Sequence, residues 1–270
     1  MTLPLALRRV RSAPARYLRR IAYDHAATFV TGFDAAHAYT FTTGLTEWIR
    51  ARFGWGRNIA WSYSLQHVVG GDATLRDDPS RVERMFAILD EFEKVRRKRG
   101  VAAALLEYGR WERAQPFYRG RLEQLGTGGR LQAPPDSGLA RIEPLQTIGA
   151  LGSRRAMVLM KPTFGLAVEF LDGFDAAWEG GLLRGLREWL VVKVDGEETA
   201  HWSELVRSWC RSDLAGLRGQ KREASLIAKT VECVDALWME RKRIDGLRWI
   251  FEDHAAWLAE TKRTPRRKRS

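Results

Sequence analysis

Residues 29 to 49, FVTGFDAAHAYTFTTGLTEWI, align without a gap with residues 170 to 190, FLDGFDAAWEGGLLRGLREWL, and ten of the twenty-one positions are identical. The identities are Phe29/Phe170, Gly32/Gly173, Phe33/Phe174, Asp34/Asp175, Ala35/Ala176, Ala36/Ala177, Gly44/Gly185, Leu45/Leu186, Glu47/Glu188 and Trp48/Trp189. At the same offset of 141 residues, Trp61-Ser62 meets Trp202-Ser203. Farther on, EKVRRKRGVAAALLEYGRW (93 to 111) lines up with WMERKRIDGLRWIFEDHAAW (238 to 257) after a few inserted residues, placing Trp111 over Trp257. A repeat of this kind constrains the fold more than any single motif, because each copy must bury corresponding apolar positions. The expected architecture is mainly α with at most minor β: two tandem, structurally similar helical modules, packed as a homodimer would be about a pseudo-twofold axis.

Helical periodicity places the elements. Tyr17, Ile21, His25, Phe29, Phe33 and His37 recur every fourth residue and predict a helix from about 16 to 37; Leu166, Phe170, Phe174 and Trp178 repeat that stripe. Shorter helices are expected over Leu45 to Phe53 and Leu186 to about Val192, with a third starting near Trp61 and near Trp202. Ser80 and Glu83 read as a capping box for a helix running to Gly100, and its counterpart is expected from about Ser225 to Arg243. Residues 156 to 160 and 189 to 194 carry apolar runs that fit short strands, although the match of the latter to Trp48–Phe53 argues for a helix end. The organisation expected is a basic N-terminal arm (1–15), module 1 (16–115), a connector (116–160) containing the Gly/Pro-rich stretch Gly126 to Gly138, module 2 (161–260) and a basic C-terminal tail (261–270).

A formal charge of +12 suggests nucleic acid until it is located along the chain. Residues 1 to 20 hold six arginines and no acid, and residues 262 to 270 hold six Lys or Arg, which leaves residues 21 to 261 formally neutral. The acid-free start, with Leu3, Leu5, Leu7 and Val10, fits a solvated leader, with an organellar transit peptide or membrane-surface helix as the alternative. No apolar run reaches the length of a membrane span, and the two cysteines, Cys210 and Cys233, form no metal-spaced pair. The sequence therefore predicts a soluble, cytoplasmic protein without cofactor or metal.

No nucleophile elbow, phosphate loop or HExxH motif appears. The weak catalytic candidates are the acids present in both copies, Asp34, Asp175, Glu47 and Glu188, which a twofold arrangement could bring together for acid-base work. The plainer reading gives them structural roles, with each Asp facing solvent or a neighbouring Arg, Glu47 paired with Arg50 and Glu188 with Arg184. His25 and His37 read as core or boundary residues, and His67 and His201 do not occupy equivalent positions. Candidate binding residues are the shared Trp48, Trp189, Trp61 and Trp202, for which plugging a core is the simpler role, and the helix-end clusters Arg96, Arg97, Lys98, Arg99 and Arg241, Lys242, Arg243. The function expected is a non-catalytic interaction protein that binds a protein partner. The alternatives are nucleic-acid binding through the basic termini and clusters and a hydrolase using the repeated acids.

Overall fold

The computed structural model describes residues 3–54, 59–114, 144–153, 155–178, 181–243 and 246–263. Every regular element among them is a helix: α1 (Leu5–Ser12), α2 (Pro14–Tyr17), α3 (Tyr23–Ala36), α4 (Leu45–Phe53), α5 (Trp61–Gly70), α6 (Asp78–Ala114), α7 (Pro144–Ser153), α8 (Arg155–Val158), α9 (Phe164–Ala177), α10 (Leu186–Val194), α11 (Trp202–Trp209), α12 (Gly219–Arg241) and α13 (Gly246–Arg263). Residues 156–158, where a short strand fitted, are helical in α8, and 189–194 end the helix α10, as their match to Trp48–Phe53 argued. Apolar runs this short carry no period of their own, and neighbouring helices supply the burial that decides them. The chain divides into two units, 1–142 and 143–270. The Gly126–Gly138 stretch and residues 264–270 of the tail lie outside the described residues.

In the first unit α6 is the central element, packing against α4, α3, α5 and α1. Its stripe Val82, Met85, Phe86, Leu89 and Phe92 is buried, and each such side chain contributes roughly 1.5–3 kcal/mol. Gly100, at φ 74 and ψ 165, breaks α6 where the sequence predicts its end. The capping box is displaced: Asp77, not Ser80, caps this helix, accepting the Ser80 N–H at 2.8 Å, while Glu83 is held by Arg11.

The solvated arm is the main departure in this unit. Leu7 and Val10 lie three residues apart and, with Leu3 and Leu18, are almost wholly buried, so α1 is an amphipathic helix docked on α6. The Leu3 N–H donates to Asp90 Oδ1 at 3.2 Å, and the Arg11 guanidinium grips Glu83. The predicted helix from residue 16 is shortened as well. Pro14 begins the one-turn α2, Leu18 is extended (φ −107, ψ 135), and α3 starts only at Tyr23. Tyr23 is buried and donates its hydroxyl to the Ser62 carbonyl at 2.7 Å.

In the second unit α12 packs against α7, α11 and α9, while α10 packs on α11 and α13. The core holds Phe164, Phe170, Phe174, Leu190, Val206 and Leu237. The end of the expected connector belongs to this unit, since Ile148 and Leu151 of α7 are fully buried.

Candidate functional site

In each unit a glycine in the left-handed region precedes a nine-residue helix: Gly44 (φ 81, ψ −4) before α4 and Gly185 (φ 85, ψ −5) before α10. Both glycines are also closely packed. A Cβ at Gly44 would lie 3.1 Å from Val101 Cγ1, and one at Gly185 would lie 3.3 Å from Ile250 Cγ2.

The shared aspartates hold the turns that lead to these glycines. Asp34 is 1 % exposed; its Oδ1 accepts the N–H groups of Phe41 (2.8 Å) and Thr42 (3.1 Å), and its Oδ2 accepts the Thr42 hydroxyl. Asp175 accepts the Leu183 N–H at 2.7 Å and also that of Leu182. An arginine closes each turn from the far side: Arg96 donates to the Thr40 carbonyl at 2.9 Å and Arg241 to the Leu182 carbonyl at 2.7 Å. Burial pushes the Asp34 carboxyl up to about 6, against the pull of its three hydrogen bonds and of Arg96, and raises Asp175 as well. Of the two expected surroundings, solvent or a neighbouring Arg, Asp34 is shut off from solvent and has Arg96 nearby, while Asp175 is half-buried with Arg241 nearby. The carboxylate is the cheapest acceptor for the converging N–H groups of a turn with no helix or strand to take them.

The glutamates do not make the pairs expected of them. Glu188 pairs with Arg187 at 2.9 Å rather than with Arg184. Arg50 is buried and turns to Tyr108, lying over its ring at 5.8 Å, rather than to Glu47.

Trp48, Trp61 and Trp202 are buried, and Trp48 packs against Phe92 (5.7 Å) and Phe53 (6.1 Å). Trp189 is half-buried, edge-on to Trp209 at 5.6 Å, with Lys193 over its ring. The basic clusters are largely paired: Arg96 and Arg97 share Glu93, Arg99 meets Glu107, and Arg243 meets Glu240 at 3.2 Å. Lys98 and Lys242 are exposed. Cys210 and Cys233 are buried free thiols, and burial pushes that of Cys210 up to about 11.

The second unit brings four acid-base groups to one place. Asp172 and Asp175, three residues apart on α9, Glu188 in the first turn of α10, and His201 at the start of α11 line a hollow of about 370 Å³ with Arg184, Trp202 and Phe251. Trp202 Nε1 donates to Asp172 Oδ1 at 3.1 Å, and His201 Nδ1 lies 2.8 Å from Ser203 Oγ and accepts the Ser203 N–H. Three carboxylates and one guanidinium line the hollow, Arg187 and Arg241 lie beside Glu188 and Asp175, and the aromatic walls suit the stem of a long cationic side chain. No group of three or more His, Cys, Asp or Glu among the described residues is arranged to hold a metal ion.

At the positions offset by 141 in the first unit, Thr31 stands where Asp172 does, Thr43 where Arg184 does and Ala60 where His201 does. Thr31 turns its hydroxyl onto the Ala27 carbonyl at 2.9 Å. The sequence named Asp175, Glu188 and Trp202 but missed Asp172, whose i, i+3 spacing to Asp175 on an apolar helix is the one signal that marks it, and Phe251, which only tertiary packing delivers. Comparisons with protein-family models, characterised proteins and solved structures give no match.

Proposed function

We propose that this chain is a non-catalytic interaction protein built by duplication of one helical module, and that its second module takes up a Lys or Arg side chain of a protein partner in the acidic hollow beside Phe251. The observation that carries this reading is the lining itself: Asp172, Asp175 and Glu188 beside Arg184, walled by Trp202 and Phe251, with Glu188 also held by Arg187 at 2.9 Å. Asp175 spends acceptor capacity on the turn, and Asp172 on Trp202, which suits a fixed anionic rim better than a proton-transferring group.

Three parallels support duplication: the aspartate-held turn, the left-handed glycine before a nine-residue helix, and the arginine that closes the turn. Stacked ring pairs at Tyr108/Trp111 and His254/Trp257 add a fourth. The same reading carries a pseudo-twofold pairing of the two modules, whose signature is cross-linking between equivalent positions.

Selection of a random displayed peptide library on the purified chain tests the proposal. Peptides with a fixed Lys or Arg should be enriched, and substituting Asp172→Asn with Glu188→Gln should weaken them about tenfold or more, the scale of a lost charge-assisted contact. Enrichment of uncharged peptides, or binding indifferent to these changes and to Phe251→Ala, would sink the proposal. Turnover of any substrate that disappears in a folded Asp175→Asn protein would favour the hydrolase reading instead.

A further inference from the structure

Four arginines gather at the turn between α11 and α12: Arg207, Arg211, Arg218 and Arg222 line a hollow of about 440 Å³ together with Ser208 and Gly216. All four are exposed, and none of them is in an ion pair with a described residue. Arg207 lies over the Phe164 ring at 4.8 Å, which orients its guanidinium without neutralising it.

The two carboxylates within residues 207–223 are drawn elsewhere. Asp213 is held by Lys229 at 3.3 Å, and Glu223 accepts the Phe164 N–H at 2.6 Å. Gly216 takes a left-handed φ of 77 with open space where a Cβ would stand, so no side chain fills the hollow from that position. The 23-residue α12 begins here with Arg218 as its N-cap and no side-chain capping bond, so the positive end of its dipole adds to the same field.

Nothing in the fold requires this arrangement. The turn between α5 and α6 in the first unit carries Asp72, which accepts the Thr74 N–H of the turn, and Asp77, which accepts the Ser80 N–H in the first turn of α6. Uncompensated guanidiniums around one hollow repel one another, and a multiply charged oxyanion relieves that repulsion while matching their forked donors.

We infer that this hollow is a binding site for a phosphate group, carried either by a small soluble anion or by a lipid headgroup. The site is separate from the acidic hollow and stands or falls without it. The four guanidiniums hold the oxyanion, with the α12 N-terminus and the Ser208 hydroxyl completing the donor set.

Calorimetric titration of the full chain with inorganic pyrophosphate at low ionic strength should show one saturable site. Arg211→Gln with Arg222→Gln should weaken it about tenfold or more, while Arg76→Gln with Arg84→Gln, the same charge loss in the first unit, should change it by less than about twofold. If the first pair loses helical circular dichroism, Arg218→Gln alone must weaken binding. A parallel titration with phosphatidylcholine vesicles containing a phosphoinositide separates the sources: pyrophosphate binding supports a soluble ligand, and binding to vesicles alone, lost with the same arginines, supports a headgroup. No saturable binding to either probe, or an equal loss with both variant pairs, overturns the site.

Discussion

Asp34 is the residue on which most depends, because one buried carboxylate satisfies two backbone N–H groups and a hydroxyl. Asp34→Ala should cost about 2–4 kcal/mol in urea denaturation, since it orphans buried donors as well as deleting an interaction. Asp34→Asn keeps the shape and one acceptor and should cost about 1 kcal/mol at most. The two variants differ from the native chain in pH dependence too. The folded carboxyl sits at about 6 and the ordinary value is 3.8, so the folded state binds the proton more tightly than the unfolded one. This group's contribution therefore favours folding at low pH and is lost as pH rises from about 4 to about 6; with Asn that component of the slope should vanish. A native-minus-variant difference that stays flat across this window would refute the assignment. Gly44→Ala and Gly185→Ala should each cost about 1–3 kcal/mol, combining strain at positive φ with a clash against α6 or α13. Their counterparts at Gly54, which has open space, should cost less despite a similar φ of 70.

At the scale of elements, α1 offers the clearest test. Leu7 is fully buried on α6, so Leu7→Ala should destabilise the protein by about 2–4 kcal/mol, and removing residues 1–15 should lower the unfolding midpoint rather than merely strip charge. An unchanged midpoint would return the segment to a solvated arm. For the same reason a nucleic-acid role of the terminal arginines is properly tested by Arg8→Gln with Arg9→Gln, which leaves the buried leucines in place. The helices legible in the sequence are those with a local stop signal: α4 begins and ends where Gly44 and Gly54 mark it, and α6 breaks at Gly100. α1 was not legible, because its apolar stripe is two residues long and the α6 surface that completes it lies more than seventy residues away. The start of α3 was misplaced because Tyr17 and Ile21 keep the helical spacing although α2 ends at Tyr17 and the extended Leu18 breaks the chain between them.

For the whole molecule, every regular element among the described residues is a helix, and none of these helices is long and apolar enough to cross a membrane. Each unit has its own buried core, so expression of residues 1–142 and of 143–270 separately should yield two pieces that each unfold cooperatively in urea. A non-cooperative profile from either would mean that neither core is sufficient alone. The sequence determined the helical class, the repeated Gly-Phe-Asp-Ala-Ala segment and the turn glycines, because periodicity and left-handed backbone positions are local properties written residue by residue. Tertiary structure decided which partners the acids take, that α1 is buried, and that Asp172, Glu188 and Phe251 share one hollow while four arginines share another. Those outcomes depend on which distant surfaces meet and on which competing donor lies nearest, and no window along the chain contains both sides of such a contact.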